Sequence, residues 1–330
     1  MLSGGLDSHL AVKLVLDQGV EVHAINFVTP FCTCTAQGCR SEARGAAEQL
    51  GIPLKVANNS RPLLEAIKSP RFGYGRGLNP CLDCRVISFE RAAAYMEEIG
   101  ASFLVTGEVL GQRPMSQMRR SIETIEKESG LKGRILRPLS AHHFPPTEVE
   151  KEGLIDRDKL LSISGRSRRI QIDVAEELGV NDYPCPAGGC LLTEPDFADR
   201  LRSLLREYDS PAMPQVTLLK SGRHIFSTDG QRIIIPRDEM EDRRLKNLKH
   251  VLSAVLDTVD IVGPTAGIMT PVAVTEGTLK EAAALLSRYG KGRDREKVTV
   301  RAEAVDGSWK TEMTAAPREG ARLAESLERV

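Results

Sequence analysis

No uninterrupted apolar run in this sequence approaches the ~18 residues that a membrane-spanning helix needs, so the bilayer is not expected to be its solvent. Met1-Leu2-Ser3-Gly4-Gly5 has neither the basic start nor the apolar stretch of a secretion signal, and a cytoplasmic location is expected. Net charge is missing too: 45 basic and 45 acidic residues cancel, so bulk electrostatics give no nucleic-acid signature and any RNA contact falls to local patches. There is no internal repeat, no low-complexity tract and no Gly-Lys-Ser/Thr, which excludes a Walker A loop. What remains is an ordinary globular composition, 41% apolar and 27% charged, in 330 residues, a length that favours two domains.

The order of elements points to an α/β fold. Apolar residues at Leu10, Ala11, Leu14 and Val15 have helical spacing over Asp7 to Gln18, and Gly19 stops the helix. Val20 to Val28 reads as a strand, Ser41 to Leu50 as a helix, Pro53 to Ala57 as a strand, Cys84 to Ile99 as a helix and Ser102 to Val105 as a fourth strand. Such alternation predicts a parallel sheet covered by helices on both faces, with ligands at the carboxyl ends of its strands. After Leu139 the pattern loosens, a helix follows from Ile170 to Leu178, and beyond Pro214 short strands and turns take over. The expected division is an α/β domain over 1–195, a helix or linker over 196–214, a small α+β domain over 215–305 and a flexible tail over 306–330 whose last stretch reads as a frayed helix.

Ser3-Gly4-Gly5-Leu6-Asp7-Ser8 stands where a strand would hand over to the first helix. Two glycines allow a tight turn that aims backbone N–H groups at an anion, and the helix N-terminus adds a favourable dipole. Ser3 and Ser8 can donate hydroxyls to phosphate, and Asp7 can hold magnesium. This hexapeptide resembles the SGGxDS signature of the pyrophosphate-loop ATPases, the adenine nucleotide α-hydrolase-like superfamily, at every specified position. The resemblance implies a Rossmann-like fold, cleavage of ATP between its α and β phosphates, and adenylation of a carbonyl oxygen. Members usually carry a full strand before the loop; only Met1 and Leu2 precede it here, so a truncated or misassigned start and a weakened sheet edge are expected.

Thr106-Gly107-Glu108-Val109-Leu110-Gly111-Gln112, followed by Ser116-Gln117, ends the fourth expected strand. A carboxylate, amides and glycines there can surround a base or ribose, which makes Thr106, Gly107, Glu108 and Gln112 further ATP-site candidates. The string is similar to the TGExLGQ…SQ segment of tRNA 4-thiouridine synthetases of the ThiI type, and Arg137-Pro138-Leu139 to their RPL segment. That resemblance implies a tRNA uridine, with position 8 favoured, as substrate and a thiouridine as product. No THUMP-like or rhodanese-like region is evident, so RNA contacts fall to Arg166, Arg168 and Arg169 at a helix start, or to the C-terminal part. Leu218 to Leu248 loosely resembles the RNA-binding domain of NFACT proteins in Ser221-Gly222-Arg223 and Ile235-Pro236-Arg237.

Seven cysteines fall in three groups: Cys32, Cys34 and Cys39; Cys81 and Cys84; Cys185 and Cys190. Cys81 and Cys84 open a helix, where amide dipoles favour thiolate, and can clasp one face of a metal. The loop Tyr183 to Cys190 could supply a third ligand, Cys185 or alternatively Cys190. Resemblance to thiolating pyrophosphate-loop enzymes implies a [4Fe–4S] cluster on Cys81, Cys84 and Cys185. Structural zinc, or a persulfide-carrying cysteine with a resolving partner, are the alternatives, and Cys32, Cys34 and Cys39 could form a second metal site or a sulfur entry point. Asp7, Cys81, Cys84 and Cys185 are therefore the catalytic candidates, with ATP, Mg2+ and the cluster as cofactors. The partners expected are tRNA, a sulfur donor such as a cysteine desulfurase or sulfide, and a second copy in a homodimer. An amidating enzyme and an RNA-binding factor with a vestigial ATPase core are the competing readings.

Overall fold

A computed structural model describes residues 1–33, 38–180, 183, 189–289, 291–327 and 329 of the chain. These divide into two compact units, Met1–Thr193 and Glu194–Val330. No helix among the described residues is long and apolar enough to cross a membrane.

The first unit is a Rossmann-like α/β domain. Helix α1 (Leu6–Leu16) follows the glycine turn, β1 (Ala24–Val28) pairs in parallel with β2 (Leu54–Asn58), and α2 (Gly38–Leu50) connects them. Helices α3 (Ser60–Lys68) and α4 (Cys81–Glu98) come next; α4 buries Val86, Phe89, Ala92 and Met96, a spacing that turns one apolar stripe into the core. Then β3 (Leu104–Val105), α5 (Arg119–Glu128) and β4 (Ile135–Leu136) form a second parallel pair, Leu104 opposite Ile135. The expected single sheet is thus two parallel pairs, and the first two residues connect them. Leu2 donates its N–H to the Ile25 carbonyl at 2.9 Å, and the Met1 amine reaches the Val105 carbonyl at 2.6 Å. An apolar-lined cavity of about 540 Å3 flanks them, walled by Val12, Val15, Val22, Ile25, Met96 and Phe103. Short helices α6 (Glu148–Lys151) and α7 (Arg169–Glu177) complete the unit.

The second unit opens with α8 (Pro195–Glu207) and α9 (Met213–Leu218). Its strands are β5 (Arg223–Phe226), β6 (Arg232–Ile235), β7 (Ala254–Thr258), β8 (Ala266–Met269), β9 (Val298–Ala304) and β10 (Lys310–Ala315). They form one antiparallel sheet in the order β10-β9-β7-β8-β6-β5. Helix α10 (Glu239–Asn247) lies between β6 and β7 in the chain, and α11 (Glu276–Arg288) packs its Leu279, Ala282, Ala283, Leu285 and Leu286 into the sheet's core. Strand β9 shows strict alternation of buried and half-buried residues, the period-2 signature of a sheet with one covered face.

The expected flexible tail is a structured element. Residues 310–315 pair along β9, and helix α12 (Pro317–Ser326) packs on α11 so closely that a Cβ on Gly320 would stand 2.0 Å from the Ala284 carbonyl oxygen. The frayed helix expected at the end is α12, whose exposed face is charged while Gly320 and Ala324 are buried.

Candidate functional site

The glycine turn folds as a phosphate cradle. Gly4 has φ +84°, and a Cβ there would lie 2.6 Å from the Glu42 backbone, so only glycine fits. Gly5 precedes α1 in extended conformation with no side chain capping the helix, which leaves the first-turn amides for an anion. The Ser3 and Ser8 hydroxyls stand 3.1 Å apart, Ser8 donates to the Gly5 carbonyl at 2.8 Å, and Gly5 N–H donates to Ser3 Oγ at 3.3 Å. Gly107, at the end of β3, packs against the loop itself: a Cβ there would come within 2.5 Å of the Asp7 and Ser8 backbone. The strand-end motif and the phosphate loop are therefore one construction.

Asp7 carries the feature that most invites a cation. Its Oδ2 accepts from Gln112 Nε2 at 2.7 Å and faces Arg168 at 3.9 Å, while its buried Oδ1 has no hydrogen-bond partner. An orphaned carboxylate oxygen beside a phosphate cradle fits a hard divalent cation such as Mg2+. Gln112 is oriented in turn by the buried Gln171, whose Nε2 donates to it at 3.3 Å. Gln112 thus acts on Asp7, where the sequence suggested a base or ribose. Arg168, expected on RNA, lines the same cavity as Asp7; Arg166 and Arg169 are exposed.

Glu108 departs further from expectation. It is 3% exposed, and its oxygens are taken by Arg85 and, at 3.1 Å, by Arg137, which also pairs with Glu126. Burial pushes the Glu108 carboxyl up, but the two guanidiniums outweigh it and hold the group below the usual carboxylate value. A carboxylate so engaged is not free for a ribose hydroxyl; it anchors Arg85. The Arg85 guanidinium packs over the Phe89 ring at 5.0 Å, keeps a buried Nε without a partner, and lines the cavity. Sequence reasoning missed Arg85, although its position directly after Cys84 was the available signal.

The cavity, about 400 Å3, is walled on one side by Ser3, Gly5, Asp7 and Ser8 and elsewhere by Cys32, Cys81, Cys84 and Cys190. None of the four is in a disulfide, and all are half-buried. Burial pushes the Cys84 thiol up to about 12, with Arg85 opposing and the neighbouring Cys81 and Cys190 adding to the rise. Cys190 is raised to about 11, first by burial and then by Cys81 and Cys32, against a backbone N–H from Leu192 and the charge of Arg113. The helix start was expected to favour thiolate; at Cys84, burial outweighs the dipole. Among the described residues, no three of His, Cys, Asp and Glu are arranged to hold a metal ion. Cys185 and Cys34 lie outside the described residues, and Cys39 falls in the first turn of α2.

Comparison with known proteins agrees with this geometry. Residues 1–152 match the family model for the tRNA methyl transferase HUP domain, and residues 222–326 match that for the NFACT protein RNA binding domain. Among curated proteins, the tRNA-specific 2-thiouridylase MnmA of Marinobacter nauticus is 28% identical over 257 residues, 70% of this chain and 60% of the relative. MnmA 1 of Syntrophus aciditrophicus is 27% identical over 252 residues, with 70% and 63% covered. MnmA of Coxiella burnetii is 35% identical over 117 residues, 32% of each chain. The chain thus spans 60 to 63% of the length of its longest-matching relatives. A glycine cradle opening α1, an orphaned aspartate beside it and the match of residues 1–152 have one common explanation: the N-terminal unit belongs to the pyrophosphate-loop ATPase superfamily.

Proposed function

We propose that this protein is an ATP-dependent tRNA sulfurtransferase, which adenylates a uridine carbonyl oxygen and replaces that oxygen with sulfur. The observation that carries the reading is the shared cavity: a pyrophosphate cradle and four thiols face the same space of about 400 Å3. Nucleotide chemistry alone would not require the thiols, and thiols alone would not require the cradle. The names of the relatives, all tRNA 2-thiouridylases, and the RNA-binding match over residues 222–326 support the same substrate class.

The β and γ phosphates sit on the Gly4–Gly5 turn and the first-turn amides of α1, with Ser3 and Ser8 turning their hydroxyls from each other to phosphate oxygens. Asp7, oriented by Gln112, would hold Mg2+, which would supply charge neutralisation at the phosphates. Neutralising the pyrophosphate lowers the cost of its departure, and Arg168 and Arg85 supply fixed positive charge where negative charge develops. The uridine oxygen attacks the α phosphorus and pyrophosphate leaves. Sulfur then bonds to the activated ring carbon, and the former carbonyl oxygen departs within AMP.

Cys81, Cys84 and Cys190 line the cavity and are soft donors of the kind a [4Fe–4S] cluster takes, with Cys185 as the other candidate for the third ligand, but the described residues are not arranged to hold a metal ion. Such a cluster, if held by three cysteines, would supply an iron site open to sulfide. Persulfide carriage on Cys84 with Cys190 as resolving thiol is the second reading, favoured by the place of both thiols on the wall of one cavity. The ThiI-like motif directs sulfur to C4 and the 2-thiouridylase relatives to C2 of the base.

Anaerobically purified protein, incubated with ATP, Mg2+, a sulfide source and unmodified tRNA, should release pyrophosphate and yield a thiouridine on nucleoside mass spectrometry. The isomer found decides between C2 and C4. Iron and sulfide content, lost on Cys81→Ala, decides between cluster and persulfide. Pyrophosphate release on a small amine acceptor, unaffected by Cys84→Ser, would overturn the proposal in favour of amidation.

A further inference from the structure

We propose that Cys32 and Cys190 form a redox-active pair, distinct from Cys81 and Cys84, that closes as a disulfide on the wall of the nucleotide cavity. The two residues stand opposite each other in an isolated antiparallel bridge. Thr33 N–H donates to the Gly189 carbonyl at 3.2 Å and Leu191 N–H to the Phe31 carbonyl at 2.8 Å, while Cys32 and Cys190 exchange no backbone bond. That pattern defines the narrow pairing of antiparallel strands, in which facing Cα atoms approach to about 4.5 Å. Disulfides span Cα separations of roughly 4.4–6.8 Å, so rotation about the two Cα–Cβ bonds suffices to join these sulfurs.

The bridge is also held from the side. Gly189 N–H donates to Thr33 Oγ1 at 2.7 Å, and a Cβ on Gly189 would lie 2.8 Å from that oxygen, so the two segments are locked in close register. Neither cysteine is in a disulfide, and both line the cavity. The sequence separation of the pair explains why spacing gave no hint of it.

The chemistry balances with a low-molecular-weight disulfide such as oxidised glutathione as oxidant. Cys32 gives its proton to solvent and attacks first. Its thiolate bonds to one glutathione sulfur, the glutathione S–S bond breaks and one glutathione thiolate leaves. Cys190 then gives its proton to solvent and attacks the Cys32 sulfur, expelling the second glutathione. Two cysteine thiols are oxidised and one disulfide is reduced to two thiols. Closure withdraws Cys190 from Cys81 and Cys84; on the sulfurtransferase reading, thiolation stops while ATP cleavage continues.

The test needs no activity. Full-length protein, reduced and then titrated with oxidised glutathione, is quenched by alkylation and digested without reductant. The expected first cross-link joins the Cys32 and Cys190 peptides, protects two of the seven thiols, reverses with dithiothreitol and disappears in Cys32→Ser and in Cys190→Ser. A Cys81–Cys84 link forming first, a link from either residue to Cys34, Cys39 or Cys185, or no link at all overturns the proposal. Because the readout is a peptide mass, failure of the thiolation assay and failure of this pairing are separate results.

Discussion

The two units treat buried polar groups in opposite ways. In the first unit, Asp7 Oδ1, Asn26 Oδ1, Arg85 Nε and Gln117 Oε1 are buried without a hydrogen-bond partner, and all four residues line the nucleotide cavity. The second unit buries polar side chains as well, but completes them. Arg232, wholly buried in β6, pairs with Glu207 and meets His224 Nδ1 at 3.3 Å, and Ser227 meets Thr278 at 2.8 Å. An unpaired buried polar atom costs roughly 1–3 kcal/mol. A fold keeps such a cost where a ligand will relieve it, so the first unit is arranged for polar chemistry and the second for its own stability.

The strongest way to break this contrast is in the second unit. Arg232→Met leaves Glu207 and His224 without their buried partner, and removing one member of a buried ion pair costs about 3–5 kcal/mol. Denaturant unfolding should show that loss while ATP-dependent pyrophosphate release persists at temperatures where the variant is folded. Loss of turnover in the folded variant would make Arg232 part of the chemistry and end the division of labour.

The mirror experiment lies in the first unit. Asp7→Asn keeps the shape of a side chain whose Oδ1 has no partner, so stability should hold or rise slightly. Pyrophosphate release should fall by about 10²–10³, comparable to removing one preorganised electrostatic contact to a transition state. Unchanged release would remove the magnesium role, and a large loss of stability would mean that Asp7 is structural.

The contrast also marks what could be read without coordinates. The phosphate loop was legible because its requirements are local: Gly4 at positive φ, an uncapped helix start and Asp7 within one turn. Helices α1, α4 and α8 were legible from apolar periodicity. Glu108 and Arg168 were legible only as site residues; their partners, Arg85, Arg137 and Asp7, come from distant segments that pattern does not join. Helix α11 went unread although Thr275 caps it, accepting from Thr278 N–H, because its long alanine and leucine stretch was passed over among turn signals. The tail's charge pointed to flexibility, but that charge is displayed on one face of a helix whose small residues pack.

Gly320 tests that last point with a smaller effect. Alanine there places a methyl against the Ala284 carbonyl, and α12 must shift from α11 or strain, at about 1–3 kcal/mol. Thermal unfolding should register the loss; a neutral result would mean that α12 adds little to the second unit. Gly107→Ala makes the same intrusion in the first unit, against Asp7 and Ser8, and should cost nucleotide turnover as well as stability, which separates packing glycines from site glycines.

The smallest expected effect is a pH dependence confined to the second unit. His224 is buried, and burial first, then the charges of Arg232 and Arg200, hold its ring well below the usual 6.5. Its Nε2 meets the Ser221 carbonyl at 2.9 Å and its Nδ1 faces Arg232, so a second ring proton would oppose a guanidinium. The unfolded chain takes up that proton as pH drops past about 6.5, whereas the folded chain does not, so the unfolded state binds more protons and gains ground. Stability should therefore be flat above that value and fall with acidification below it, before the carboxylates begin to titrate. The first unit's Glu108, held low by Arg85 and Arg137, gives way only at more acid pH, below the unfolded carboxylate value of 4.5. Unfolding followed between pH 7 and 5 should show the decline in wild type and its absence in His224→Gln; an identical decline in both would assign it to another group and show that the buried cluster of the second unit is already protonated.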